Sequence, residues 1–270
     1  MIRLNGQQIV SAHFSDGTSS VRTAVPEKNR ITLQWCFDGN SEMAEVFFLV
    51  NHIRTHNRKA ELILEMPYIP NARMDRVKND DEVFTLKYFA GFINSLGFDC
   101  VKVCDPHSDV SAALIDRIEK IPHLPFIEKV METIGFNPEK DIMFYPDAGC
   151  AKKYEQVINL PYLKGEKKRD WRTGKIQELK ISGDIPAGDF RVLIVDDICS
   201  RGGTFYHSAQ KLKEAGAGDI FLYITHCENT ILEGELIKSG LVKKIFTTDS
   251  IFTEENELIS TVHSFRQRGE

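Results

Sequence analysis

Short apolar runs alternate with amphipathic stretches along most of the chain. ITLQWC (31–36), ELILEM (61–66), DCVKVC (99–104), DIMFY (141–145), RVLIV (191–195), DIFLYIT (219–225) and KKIFTT (243–248) are mostly rich in β-branched and aromatic residues, which predicts strands. Helices are predicted over 41–57, opened by Ser41, and over 82–96, 204–215 and 230–239, each followed by glycine (Gly97, Gly216, Gly240). Such alternation implies parallel sheets with helices on both faces. It runs twice, with a break near PHLPF (122–126), so two α/β domains of similar size are expected, drawn at 1–135 and 136–270. Residues 1–30 are polar and hairpin-like. LKGEKKRDWRTGKIQELK (163–180) is dense in charge and has no helical apolar face. It reads as a solvated hairpin or loop, or as a mobile cationic flap over an anionic substrate.

Composition narrows the class. The 270 residues are 42% hydrophobic and 27% charged, with a net charge of −5. That balance fits a globular protein and argues against a dedicated nucleic-acid binder. No apolar run approaches the ~18 residues of a membrane span, and the first residues lack a signal-peptide core, so a cytoplasmic protein with no membrane partner is expected. The six cysteines (36, 100, 104, 150, 199, 227) are too sparse for a disulfide scaffold and read as free thiols. Cys100-x3-Cys104-x2-His107 has no second ligand pair nearby and is a poor zinc candidate.

The strongest chemical signal is RVLIVDDICSRGGT (191–204). An apolar strand ends in Asp196 and Asp197, and a glycine-containing turn opens a helix near Thr204. In open α/β sheets ligands sit at the carboxyl ends of strands. The turn, Ser200-Arg201-Gly202-Gly203-Thr204, offers backbone N–H groups and a helix N-terminus to a phosphate. The two carboxylates suit the vicinal hydroxyls of a ribose. The string reads as a ribose 5-phosphate cradle. Neither G-x-x-x-x-G-K-[ST] nor G-x-G-x-x-G occurs, which disfavours P-loop kinases and Rossmann dehydrogenases.

This string resembles the phosphoribosyl pyrophosphate motif shared by type I phosphoribosyltransferases and ribose-phosphate pyrophosphokinases. Further segments favour the second family. PYIPNARMDR (67–76) resembles its P-Y-x-P-Y-A-R-Q-D-R, CDPH (104–107) its D-L-H, YPDAGCAKK (145–153) its P-D-x-G-x-x-K/R, and FSDG (14–17) its F-x-D-G-E. The match is in order and spans about residues 10–250. It implies two phosphoribosyltransferase-like domains, each a mainly parallel sheet flanked by helices. The N-terminal domain would be the ATP and magnesium side and the C-terminal one would hold the ribose phosphate. It also implies transfer of the β,γ-diphosphoryl group of ATP to the anomeric hydroxyl of ribose 5-phosphate, with Mg2+ as cofactor and ATP as co-substrate. By the same resemblance Lys164 and His107 are catalytic, with Lys167 or Arg169 sharing the role of Lys164. Phe14, Asp16, Arg73, Arg76 and His107 bind ATP. Asp147 and residues Asp196, Asp197 and 200–204 hold the ribose phosphate, while Asp105, His107 and Asp147 face the metal. Small-molecule substrates and a homo-oligomer, dimer or hexamer, are implied as well.

Four positions depart from the family pattern. Thr18 stands where Glu is usual, Met74 where Gln is usual, and Ser200-Arg201 where the ribose loop commonly has Asp-Thr. Arg201 adds a cation suited to phosphate, which raises ADP-ribose as an alternative acceptor, giving an activated donor for NAD synthesis. A type I phosphoribosyltransferase and a non-catalytic homologue are the other rivals.

Overall fold

In the computed structural model of the chain, every run predicted as a strand is one. The structure describes residues 1–169 and 176–267, with side chains described outside 167–178. Two compact units emerge: residues 1–122 with the described residues from Phe265 on, and residues 123–264. The division falls earlier than the expected 135/136. The reason lies in the helix that starts inside PHLPF, at Leu124, whose Ile127 and Val130 pack into the core of the second unit with Met143 and Tyr145. The chain end joins the first unit through the Phe265 carbonyl, which accepts from Gln34 Nε2 at 2.8 Å.

The first unit comprises β1 (Ile2–Leu4), β2 (Gln7–Ile9), β3 (Ser11–His13), β4 (Ser19–Val21), β5 (Arg30–Trp35), α1 (Glu42–His56), β6 (Glu61–Glu65), α2 (Thr85–Ser95), β7 (Cys100–Cys104), α3 (Asp109–Leu114) and β8 (Ile118–Ile121). Its sheet runs β2-β1-β5-β6-β7-β8, parallel from β5 to β8, while β3 and β4 form a separate hairpin. In β5, Ile31, Leu33 and Trp35 are buried and alternate with less buried neighbours, as a period-two strand requires. Gly91 sits in α2 with open space where a Cβ would go. Gly91→Ala is therefore expected to stabilise the protein by about 0.5–1 kcal/mol, read as a higher urea midpoint.

The second unit comprises α4 (Leu124–Ile134), β9 (Asp141–Tyr145), α5 (Ala148–Tyr154), β10 (Tyr162–Arg169), β11 (Ile176–Ser182), β12 (Phe190–Cys199), α6 (Gly203–Glu214), β13 (Ala217–Cys227), a 3-10 turn (Asn229–Glu233), α7 (Glu235–Lys238), β14 (Lys244–Thr248) and β15 (Ile259–His263). The sheet order is β11-β10-β9-β12-β13-β14-β15, parallel except for β11. Alternation sorts its residues cleanly. Ile142, Phe144, Val192 and Ile194 face α6, through Phe205, Ala209 and Leu212. Met143, Tyr145, Leu193 and Val195 face α4 and α5. Helices thus cover both faces, as the sequence pattern implies.

Two elements differ from expectation. β12 continues beyond Val195 through both aspartates to Cys199, because its pairing with β13 persists to Cys199↔Cys227. The helix expected over 230–239 is split at Gly234 into the 3-10 turn and α7. Among the described residues no helix is long and apolar enough to cross a membrane, and all six cysteines are free.

Candidate active site

In the second unit the chain leaves β9 for β10 on one side and returns to β12 on the other. Consequently α5 covers one face of the sheet and α6 the opposite face. The carboxyl ends of β9 and β12 therefore form a topological switch point, where α/β sheets open a crevice for ligands. Asp147 follows β9, and Asp196 and Asp197 lie at the end of β12.

Local chemistry fixes these groups. Asp147 has extended backbone and its Oδ1 accepts from Cys150 N–H at 3.0 Å, so it caps α5. Cys150 Sγ donates to the Val195 carbonyl at 3.1 Å, which ties α5 to β12 one residue before the aspartates. Burial pushes the Cys150 thiol well up, and the carboxylates of Asp196, Asp147 and Asp197 add to the effect. That thiol stays protonated and serves as an anchor. Asp196 Oδ1 accepts from Asp197 N–H at 2.9 Å. Asp197 is buried, and Lys153 Nζ stands 3.2 Å from its Oδ2.

Lys153 is a group that sequence reasoning missed as a site residue, although it closes the quoted YPDAGCAKK segment. Its ammonium holds the Asp197 carboxylate in place. Lys153→Met is expected to lower kcat/KM for the sugar acceptor by about 10–100-fold, the worth of a hydrogen bond to a charged group. Lys153→Arg should recover part of that loss, which a bulk packing role would not predict.

The turn after β12 is held from behind. Gly202 has φ 77° and α6 begins at Gly203 without a side-chain cap, so its first N–H groups remain for an anion. Thr204 lies in that first turn. Ser200 Oγ is 3.3 Å from Thr230 Oγ1. Arg201 Nη2 is 2.9 Å from Glu233 Oε2, with both side chains mostly exposed. The extra cation of this turn thus has a carboxylate partner at the surface. Gly234 lies directly behind the loop: a Cβ at this position would stand 1.9 Å from the Arg201 carbonyl oxygen.

Lys164 lies on β10 opposite Tyr145 of β9. Its Nζ is 4.0 Å from Glu166 Oε1. β10 passes so close to the Pro146 turn that a Cβ on Gly165 would be 2.5 Å from the Pro146 oxygen. Only glycine lets Lys164 emerge beside the Asp147 turn. β10 and β11 form an antiparallel hairpin, the hairpin reading of the charged segment. The side chains of Lys167 and Arg169 lie outside the described residues. Thr225 and His226 are buried in a polar network, with His226 Nδ1 2.7 Å from Ser250 Oγ and Thr248 Oγ1 donating to the Thr225 carbonyl at 2.6 Å.

In the first unit, two segments distant in sequence are stitched together at the end of β7. Met66 N–H donates to the Lys102 carbonyl and Cys104 N–H to the Pro67 carbonyl, both at 2.9 Å. The loop from Pro67 thus starts beside Asp105 and His107. Pro67, Ile69, Pro70 and Ala72 are buried, whereas Arg73, Met74 and Arg76 are exposed. Buried apolar groups anchor the loop and its cations face solvent. Arg76 Nε lies 3.5 Å from Asp75 Oδ1. Asp105 is fully buried with φ 43°, a left-handed conformation that non-glycine residues seldom adopt outside constrained or functional sites. His107 is half-buried.

Phe14 and Asp16 occupy the separate β3–β4 hairpin. Phe14 is exposed, and Asp16 Oδ1 accepts from Thr18 N–H at 2.9 Å and Thr18 Oγ1 at 2.7 Å. The Thr18 backbone bond, then its hydroxyl, holds the Asp16 carboxyl below the usual carboxylate value. Thr18, where the family pattern has Glu, completes this turn. Among the described residues no group of three or more His, Cys, Asp or Glu could hold a metal ion by itself.

The fold defines the class: an α/β protein of two phosphoribosyltransferase-like units, with a glycine-containing turn at a strand end in the second. No family model matches the chain. It is 28% identical over 252 residues to a ribose-phosphate pyrophosphokinase of Shewanella oneidensis, covering 90% of this chain and 78% of that protein. It is 26% identical over 255 residues to one of Saccharolobus solfataricus, covering 92% and 86%. The fold matches the crystal structure of phosphoribosylpyrophosphate synthetase from Mycobacterium smegmatis with a TM-score of 0.73 at 17% identity, over 95% of this chain and 86% of that one. The chain is thus similar to ribose-phosphate pyrophosphokinases over about nine-tenths of its length.

Proposed function

We propose that the protein transfers the β,γ-diphosphoryl group of ATP to the anomeric hydroxyl of ribose 5-phosphate. The anomeric oxygen bonds to the β-phosphorus, the bond from that phosphorus to the α–β bridging oxygen breaks, and AMP leaves. The hydroxyl proton is released. The products are phosphoribosyl pyrophosphate and AMP. The observation that carries this reading is the pairing of Cys104 N–H with the Pro67 carbonyl. It sets a loop with two exposed arginines beside Asp105 and His107, equipment for a nucleotide triphosphate that a ribose-phosphate loop alone does not need.

Transfer of this kind needs alignment and charge neutralisation more than covalent chemistry. Arg73 and Arg76 hold ATP phosphates, and Phe14 and Asp16 take the adenine side. Asp196 and Asp197 accept from the ribose hydroxyls, with Lys153 fixing Asp197. The N–H groups from Ser200 to Thr204 hold the 5-phosphate. Lys164, joined by Lys167 or Arg169, neutralises charge on the transferring group. Mg2+ is commonly held by one or two carboxylates together with substrate phosphates. Asp105, a buried oxygen donor, with His107 beside it, fits an ion that arrives with ATP. Asp147 has one oxygen committed to capping α5 and faces the acceptor side. Bound Mg2+ would offset triphosphate charge. A homo-oligomer remains the expected assembly.

The test is AMP release from MgATP with ribose 5-phosphate and, separately, ADP-ribose. Release with ribose 5-phosphate, abolished by chelation and strongly reduced in Lys164→Ala, is the expected result. Release with ADP-ribose alone would replace the acceptor, and no release with either would end the proposal.

A further inference from the structure

One feature of the first unit lies outside the groups assigned to diphosphoryl transfer. His52 and His56 stand four residues apart on α1, which places them on one helix face. Their ring centroids are 4.3 Å apart. Both line a cleft of about 690 Å³ formed with the stretch 23–29, where Glu27 and Lys28 also lie.

Each ring has one nitrogen held by a backbone carbonyl. His52 Nε2 is 3.3 Å from the Thr23 oxygen, and His56 Nδ1 is 3.0 Å from the His52 oxygen. A carbonyl oxygen only accepts, so these two nitrogens carry the ring hydrogens. In the neutral rings the lone pairs then sit on His52 Nδ1 and His56 Nε2. A backbone carbonyl on the far nitrogen is the arrangement that fixes the tautomer and orientation of metal-ligating histidines. A tetrahedral ion with bonds of about 2.0–2.1 Å needs its two nitrogen donors roughly 3.3 Å apart, a spacing that neighbouring rings at this separation can supply.

We propose that His52 and His56 form a two-imidazole site for a divalent late first-row transition cation such as Ni2+, Cu2+ or Zn2+. Imidazole nitrogens suit these ions, whereas Mg2+ takes oxygen ligands. Water fills the remaining positions from the cleft, with Glu27 on its lining. The site is chemically distinct from the one assigned to MgATP.

The test uses the full chain, stripped with chelator and titrated with Ni2+ by calorimetry without ATP or Mg2+. Electron paramagnetic resonance of the Cu2+ complex counts the ligating nitrogens. The expected result is one ion per chain and a two-nitrogen spectrum. His52→Gln and His56→Gln should each weaken binding at least about tenfold and leave unchanged the AMP release of the stripped protein once MgATP and ribose 5-phosphate are supplied. His207→Gln, an exposed histidine on α6 that hydrogen-bonds Gln210, should bind as wild type. Absence of binding, or unchanged affinity in the His52→Gln/His56→Gln double variant, would overturn the proposal.

Discussion

Replacing Gly234 by alanine is expected to lower kcat/KM for ribose 5-phosphate by about 100-fold, the cost of moving a binding group by about 1 Å. The glycine is not there for backbone freedom: its φ of −79° and ψ of 158° suit any residue. It is there because the next atoms are too near. An added Cβ would meet the Arg201 oxygen at 1.9 Å and the Arg201 carbonyl carbon at 2.9 Å. Both are backbone, so no side chain can rotate aside. The Ser200–Thr204 turn must withdraw, and with it the N–H groups proposed to hold the 5-phosphate. The loss should fall on the acceptor, with KM for ATP near wild type. Gly91→Ala, in open space on α2, is the matched control. Equal losses for both substrates would point to general unfolding instead.

Arg191→Met is expected to destabilise the protein by about 3 kcal/mol, the low end for breaking a buried ion pair, since the guanidinium is one-third exposed. Asp141, buried at the start of β9, accepts from Arg191 Nε at 2.9 Å. Arg191 also donates to the Ile134 and Gly135 carbonyls at 3.0 and 2.6 Å, so one side chain joins the end of α4 to two central strands. Burial pushes the Asp141 carboxyl up, but the Arg191 hydrogen bonds and charge and the Asn137 N–H outweigh it and hold the group below its usual value. A carboxyl depressed by folding adds stability that is complete above its unfolded pKa. That stability fades as pH falls through the lower folded value. Urea titrations should therefore show wild type losing stability below about pH 4 and the variant losing less over that range. Parallel pH curves for the two proteins would contradict the role given to the pair.

Much of this was legible in the residues. Short apolar runs such as DIMFY are central strands buried on both faces. The RVLIVDDICSRGGT string lies at a strand end before a helix, as its residue types required. What escaped the sequence depends on contacts between distant segments. Lys153 is one of two adjacent lysines in the sequence until α5 packs against β12. Gly165 and Gly234 are ordinary glycines until Pro146 and Arg201 come within reach. The partner of Arg201, Glu233, lies 32 residues later and had no place in the linear pattern. The short α3, α5 and β15 lack the length that periodicity needs, and α4 was hidden because its first turn lies inside the PHLPF break.

The central claim is transfer of two phosphorus atoms as a unit. ATP labelled with ³²P at the β-position, incubated with Mg2+, ribose 5-phosphate and the full chain, tests it most directly. The label should appear in a sugar product carrying a 1-diphosphate, with unlabelled AMP released in equal amount. Labelled ADP beside a sugar bearing one new phosphate would mean single phosphoryl transfer and would contradict the account.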